Sequence, residues 1–107
     1  MDQAEDFCRQ SLREEPDNPD GLNLLAAITN KKGNINAAIE LLEKAVRTAP
    51  GNPQFLDNLG QLYRKAGQSE KAIESYRASL RADPNFAEAH NNLGNAFQDL
   101  GKLDEAV

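Results

Sequence analysis

Between Pro53 and Phe86 the apolar residues fall at helical spacing. Leu56, Leu59, Leu62 and Tyr63 recur at i, i+3, i+6 and i+7, and Ala72, Ile73, Tyr76 and Leu80 share one face of a second segment. Gly67 between them offers the left-handed conformation that ends the first helix cheaply, and Pro84 stops the second. The same pattern returns along the chain: Pro16, Pro50 and Pro84 are spaced by 34 residues, as are Gly33, Gly67 and Gly101. Ala4, Ala38, Ala72 and Ala106, then Leu25, Leu59 and Leu93, then Leu12, Val46 and Leu80, keep that period. Five ladders at one spacing predict a repeated helical hairpin. Helices are expected over 2–15, 19–32, 35–48, 53–66, 69–82 and 87–100, with a stub near Leu103. Asn18-Pro19 and Asn52-Pro53 read as a helix cap followed by a first-turn proline. Ala26, Gly60 and Gly94 follow the ladder leucines, and Ala38, Ala72 and Ala106 lie in the opposing helices. Small side chains at both places let two antiparallel helices approach closely.

Composition narrows the function classes. The net charge is −5, and the basic residues are interspersed with acids, whereas nucleic-acid binding needs clustered Lys and Arg. By segment the charge is −4 over 1–18, +1 over 19–52, +1 over 53–86 and −3 over 87–107. No stretch approaches the roughly 18 apolar residues of a membrane span. The first ten residues carry three acids and one base, the reverse of a signal peptide's start. One cysteine, Cys8, leaves no internal disulfide or Cys-cluster metal site. A cytoplasmic setting is expected.

These ladders resemble the tetratricopeptide repeat, whose 34-residue unit carries Leu-Gly early, an aromatic three residues on, Ala in the second helix and Pro near its end. Leu59-Gly60 with Tyr63, Ala72, Tyr76 and Pro84 reproduces that unit, and Leu93-Gly94 with Phe97 and Ala106 starts it again. The first full unit departs, with Thr29 at the aromatic place and Ala26 for Gly. The resemblance implies an all-α fold: antiparallel helix-turn-helix hairpins stacked into a right-handed superhelical solenoid. One domain over 1–107 is expected, comprising a half-repeat (1–18), two repeats (19–52 and 53–86) and an incomplete repeat (87–107).

The resemblance also implies a concave groove lined by the first helix of each unit, where extended peptides or partner helices bind. Its places map onto Asn23 in the first unit, onto Asp57, Asn58, Gln61, Arg64 and Lys65 in the second, and onto Asn91, Asn92, Asn95 and Asp99 in the third. An amide side chain offers donor and acceptor to a peptide backbone whatever its side chains, so Asn58 and Asn92, one unit apart, suggest a short backbone-gripping ladder. Their replacement by Ala should weaken binding at nearly unchanged melting temperature. Family members that clamp a C-terminal dicarboxylate use Lys and Asn, then Asn, then Lys and Arg. Here Asn23 and Ala27, Asn58, and Glu88 and Asn92 stand at those places, so a chaperone's dicarboxylate tail is not the expected ligand. The run Ala87 to Asn95 is similar to the substrate-presenting repeats of O-linked N-acetylglucosamine transferase, but no glycosyltransferase domain is present in this sequence.

Catalytic candidates read as structure. His90 occupies the place of Leu22 and Leu56 and is expected half-buried in the hairpin. Cys8 is in register with Leu42 and Tyr76 and reads as a core thiol. Tyr63, Tyr76 and Phe97 are packing residues, and the acid pairs Glu14-Glu15 and Asp104-Glu105 lack an enclosing pocket. No enzyme activity, cofactor or metal is expected. A stack whose end units cannot bury their apolar faces alone leaves Phe7 and Cys8 at one end, and Phe97, Leu100 and Leu103 at the other, poorly covered. Two expectations follow: a segment of a longer repeat array, or self-association of the end faces against the repulsion of −4 by −3.

Overall fold

The computed structural model describes the backbone of residues 3–16 and 18–106; the side chains at 3–5, 7, 8, 11 and 102–106 are outside the description. The end-face expectations for Phe7, Cys8 and Leu103, and the acid pair Asp104-Glu105, therefore lie outside the described residues. Among the described residues every regular element is helical: α1 (Gln3–Glu14), α2 (Pro19–Lys31), α3 (Ile35–Thr48), α4 (Pro53–Lys65), α5 (Ser69–Ala82) and α6 (Ala87–Ala106). The chain divides into two compact units, Met1–Pro50 and Gly51–Val107. In the first, α2 and α3 form a hairpin with α1 packed on α2. In the second, α4 and α5 form a hairpin, α6 packs on α5, and a lighter contact joins α4 to α6.

Local chemistry explains the boundaries. Asn18 Oδ1 accepts from the Gly21 N–H at 3.1 Å and Asn52 Oδ1 from the Phe55 N–H at 3.1 Å, capping helices whose first residue is proline. Gly33 and Gly67 take positive φ, 87° and 81°. The turns close as Asn34 and Gln68 N–H donate to the Thr29 and Tyr63 carbonyls, the Schellman arrangement. Gly101 behaves differently: α6 continues through it to Ala106, where the period predicts a turn after residue 100. Glycine permits the left-handed conformation without dictating it, and an uninterrupted helix keeps its backbone hydrogen bonds for a propensity cost of about 1 kcal/mol.

The small-residue ladder has a direct cause in the second unit. Tyr76 is fully buried, and its ring lies on Gly60 so closely that a Cβ there would sit 2.5 Å from Cε1 and 2.7 Å from Cδ1. In the first unit the same two registers hold Ala26 and Leu42, both buried: one helix gains a methyl where the other lacks a ring. The missing aromatic at Thr29 has its own consequence. Its hydroxyl turns back onto its helix, donating to the Leu25 carbonyl at 2.7 Å, and a cleft of about 660 Å³ lies alongside, bordered by Leu25, Leu41 and Arg9.

Gly60→Ala should lower stability by about 1–3 kcal/mol through overpacking, although alanine is the better helix former by about 1 kcal/mol. Adding Tyr76→Leu should restore most of the loss. Urea denaturation of the two variants checks this, and a neutral single substitution would refute the steric reading.

Candidate functional site on α4 and α6

Two side-chain pairs tie α4 to α6. Asp57 is 0% exposed; its Oδ2 accepts from Gln61 Nε2 at 2.9 Å and its Oδ1 from Asn92 Nδ2 at 3.0 Å. A buried carboxylate needs such donors, because leaving it unbonded costs several kcal/mol. Two turns further on, Arg64 grips Asp99 through Nε, with Nη2 to Oδ1 at 3.4 Å, both side chains about one-third exposed. Asp99 holds the Arg64 guanidinium above its ordinary pKa, against a smaller opposing effect of burial. Each pair spans 35 residues, one repeat plus one place.

Beside these pairs lies an open cleft of about 360 Å³, lined by Gln61, Arg64, Lys65, Asn92, Asp99 and Tyr76. The Tyr76 hydroxyl is buried and has no hydrogen-bond partner among the described residues. Burial pushes its pKa up to about 12; Asp57 adds to the rise, Arg64 opposes it, and Asp99 adds a little more.

The expected groove residues thus separate. Gln61, Arg64, Lys65 and Asn92 meet at the cleft. Asp57 is not an accessible groove residue; it is buried as the acceptor that Gln61 and Asn92 share. Asn58 is half-buried on α4, its Oδ1 taking the Gln54 Nε2 at 2.9 Å. Asn91 is exposed and Asn95 half-buried on α6, and Asn23 is half-buried on α2 of the first unit. Asn58 thus accepts from its own helix, and Asn92 donates across to α4. Leu24, at the same register in the first unit, is 42% exposed. Because Asn92 supports a buried carboxylate, Asn92→Ala should lower the melting temperature, where the sequence alone predicts it nearly unchanged. Sequence reasoning assigned Tyr76 to packing alone; the matched seven-residue spacings of Asp57 with Arg64 and Asn92 with Asp99 were the signal for the paired helices.

Three further placements complete the comparison. His90 is exposed, not half-buried, and its Nε2–H donates to the Pro84 carbonyl at 2.8 Å, bracing the turn into α6. Phe97 is 45% exposed, with the Arg77 guanidinium 5.5 Å from its ring centroid. Leu100 is half-buried and borders a shallow pocket with Gln68 and Lys71. No helix of the described residues is long and apolar enough to cross a membrane.

Two family models match the sequence. A tetratricopeptide repeat model matches residues 1–62 and 29–75, and a TPR repeat model matches residues 60–101. The chain belongs to the tetratricopeptide repeat family. No curated protein matches the sequence. Among solved structures, a mutant O-GlcNAc transferase from Thermobaculum terrenum is 35% identical, with a TM-score of 0.82 over 86% of this chain. The chain spans 18% of that protein's length. The Sgt2 TPR domain from Aspergillus fumigatus is 22% identical over 94% of this chain and 68% of its own, with a TM-score of 0.88. The first TPR of Spaghetti (RPAP3), bound to the HSP90 peptide SRMEEVD, is 22% identical over 91% of this chain and 77% of its own, with a TM-score of 0.84. The latter two likenesses concern the fold alone.

The raised Tyr76 pKa has a signed consequence. Between about pH 10, where an unfolded tyrosine ionises, and about pH 12 the folded chain keeps a proton the unfolded chain has released. Stability should fall across that window by on the order of 2 kcal/mol. Tyr76→Phe should lack this loss, so the difference between wild-type and variant urea midpoints should narrow or reverse in favour of the variant as pH rises. A difference independent of pH from 9 to 12 would contradict it.

Proposed function

We propose that this chain is a protein-interaction scaffold that holds an extended peptide or partner helix on the face built by α4 and α6, without chemistry of its own. The observation that carries this reading is the open polar cleft beside two helices pinned by the Asp57–Asn92 and Arg64–Asp99 pairs. A pre-set array of amide and charged groups on rigid helices binds without first paying to order itself. Membership of the repeat family supports the reading, and so does the peptide seated on the Spaghetti TPR. Of the places that would clamp a dicarboxylate only Asn58 carries the matching residue, so within the second unit the grip falls to amides: Asn58, Asn91 and Asn95 for the peptide backbone. The likeness to the O-GlcNAc transferase makes presentation of a substrate to an enzyme one form of this role.

With a pool of random short peptides as probe, Asn58→Ala with Asn95→Ala should weaken binding several-fold at an unchanged melting temperature. Asn92→Ala should weaken binding and also cost about 1–3 kcal/mol of stability by stripping a donor from buried Asp57. Calorimetric titration beside thermal melts measures both, and unchanged affinity in the Asn58/Asn95 double variant would exclude the amide grip.

A second reading, self-association of the end faces, is favoured by one observation, the 45% exposure of Phe97. It predicts concentration-dependent oligomers that Phe97→Glu dissolves. Light scattering that shows a monomer at high protein concentration and high salt excludes it.

A further inference from the structure

We infer that the first unit carries a binding site of its own: the open cleft over Thr29 receives an aromatic side chain of a partner polypeptide, its ring seated on Thr29 and Ala37 with the Arg9 guanidinium against its face. The site shares no residue with the cleft beside α4 and α6, so it does not depend on the peptide-holding reading above.

Both aromatic residues at this register in the second unit lie against a cation. Lys71 Nζ is 5.7 Å from the Tyr63 ring centroid, and the Arg77 guanidinium is 5.5 Å from that of Phe97. Arg9 stands to Thr29 at the same sequence separation as Arg77 to Phe97, and Ala37 to Thr29 as Lys71 to Tyr63. The first unit therefore keeps the guanidinium but lacks the ring, and it is shortened at the lysine's place as well. Arg9 from α1, Leu25 and Thr29 from α2, and Ala37 and Leu41 from α3 all border the cleft. Its volume of about 660 Å³ falls within the roughly 300–1,000 Å³ of ligand pockets.

The chemistry of the lining selects a ring. The floor is apolar: Leu25 is buried, Leu41 packs against it, and the Thr29 hydroxyl donates its proton to the Leu25 carbonyl at 2.7 Å. A carboxamide finds no donor on that floor and would desolvate its own N–H groups against carbon. A carboxylate near Arg9, Lys44 and Arg47 also meets Glu40 and Glu43, and an ammonium group meets the three bases. An aliphatic side chain covers the floor but presents no π face to Arg9. An aromatic ring does both, burying carbon on the floor and offering its electron-rich face to the guanidinium.

The test titrates the whole chain with short glycine–serine peptides carrying one Phe, Tyr, Leu, Gln, Glu or Lys, followed by NMR up to millimolar peptide. Phe and Tyr peptides should shift the amide signals of Thr29, Ala37 and Leu41 and bind there about threefold more tightly than the Leu peptide. Thr29→Tyr, which installs the second unit's residue, should remove binding at these signals without lowering the melting temperature. Arg9→Gln should bring the Phe and Leu affinities together while leaving Leu binding as it was. Arg9 is exposed, so this variant leaves the fold intact and decides the matter whatever Thr29→Tyr does to stability. Equal binding of Phe and Leu peptides by wild type overturns the inference, as does a preference for Gln, Glu or Lys. A Phe preference that survives in Arg9→Gln overturns it as well. So does the absence of shifts at the first-unit signals with every peptide, while shifts at Gln61 and Asn92 report separately on the α4–α6 face.

Discussion

The approach of α5 to α4 depends on one contact, the Tyr76 ring against the bare Cα of Gly60. Protein interiors are packed too densely to absorb an extra methyl there without movement. The contact sets how near the two helices of the hairpin lie. The first unit shows the alternative, with Ala26 and Leu42 at those registers and no hydroxyl beneath its first helix.

Around that contact the polar groups form a second layer of constraint. Asp57 has no exposure and would be intolerable without donors, yet only one of its two donors comes from its own helix; the other is Asn92 on α6. Arg64 and Asp99, partly solvated, contribute modestly to stability but orient the cleft wall. The site is thus built from ordinary side chains whose remaining hydrogen-bonding capacity is defined by what they already hold.

Much of the fold was legible because it repeats. Pro16, Pro50 and Pro84, the turn residues Gly33 and Gly67, and the caps Asn18 and Asn52 act through local backbone chemistry, which a single chain displays openly. What was not legible depends on partners distant in sequence. Asp57 looked like a groove residue because its helical face is right, and it is buried because Asn92 covers it. His90 looked buried by analogy with Leu22 and Leu56; a carbonyl six residues earlier holds it at the surface. Gly101 has the repeat's turn residue but takes no turn, since glycine's freedom is used only where the surrounding structure requires it. Tyr76 was read correctly as core, while the fate of its single oxygen lay beyond any periodicity.

The two ties between α4 and α6 behave like a vernier. Asp57 and Arg64 are separated by the same number of residues as Asn92 and Asp99, so both ties close together at only one sliding offset of the helices. Over two turns, about 10 Å along the axis, a shift by a single residue would carry Leu93 or Asn91 opposite the buried carboxylate and break both ties. Adding or deleting one residue within α4 or α6, between its two tying positions, would corrupt the site even if every residue lining it were kept.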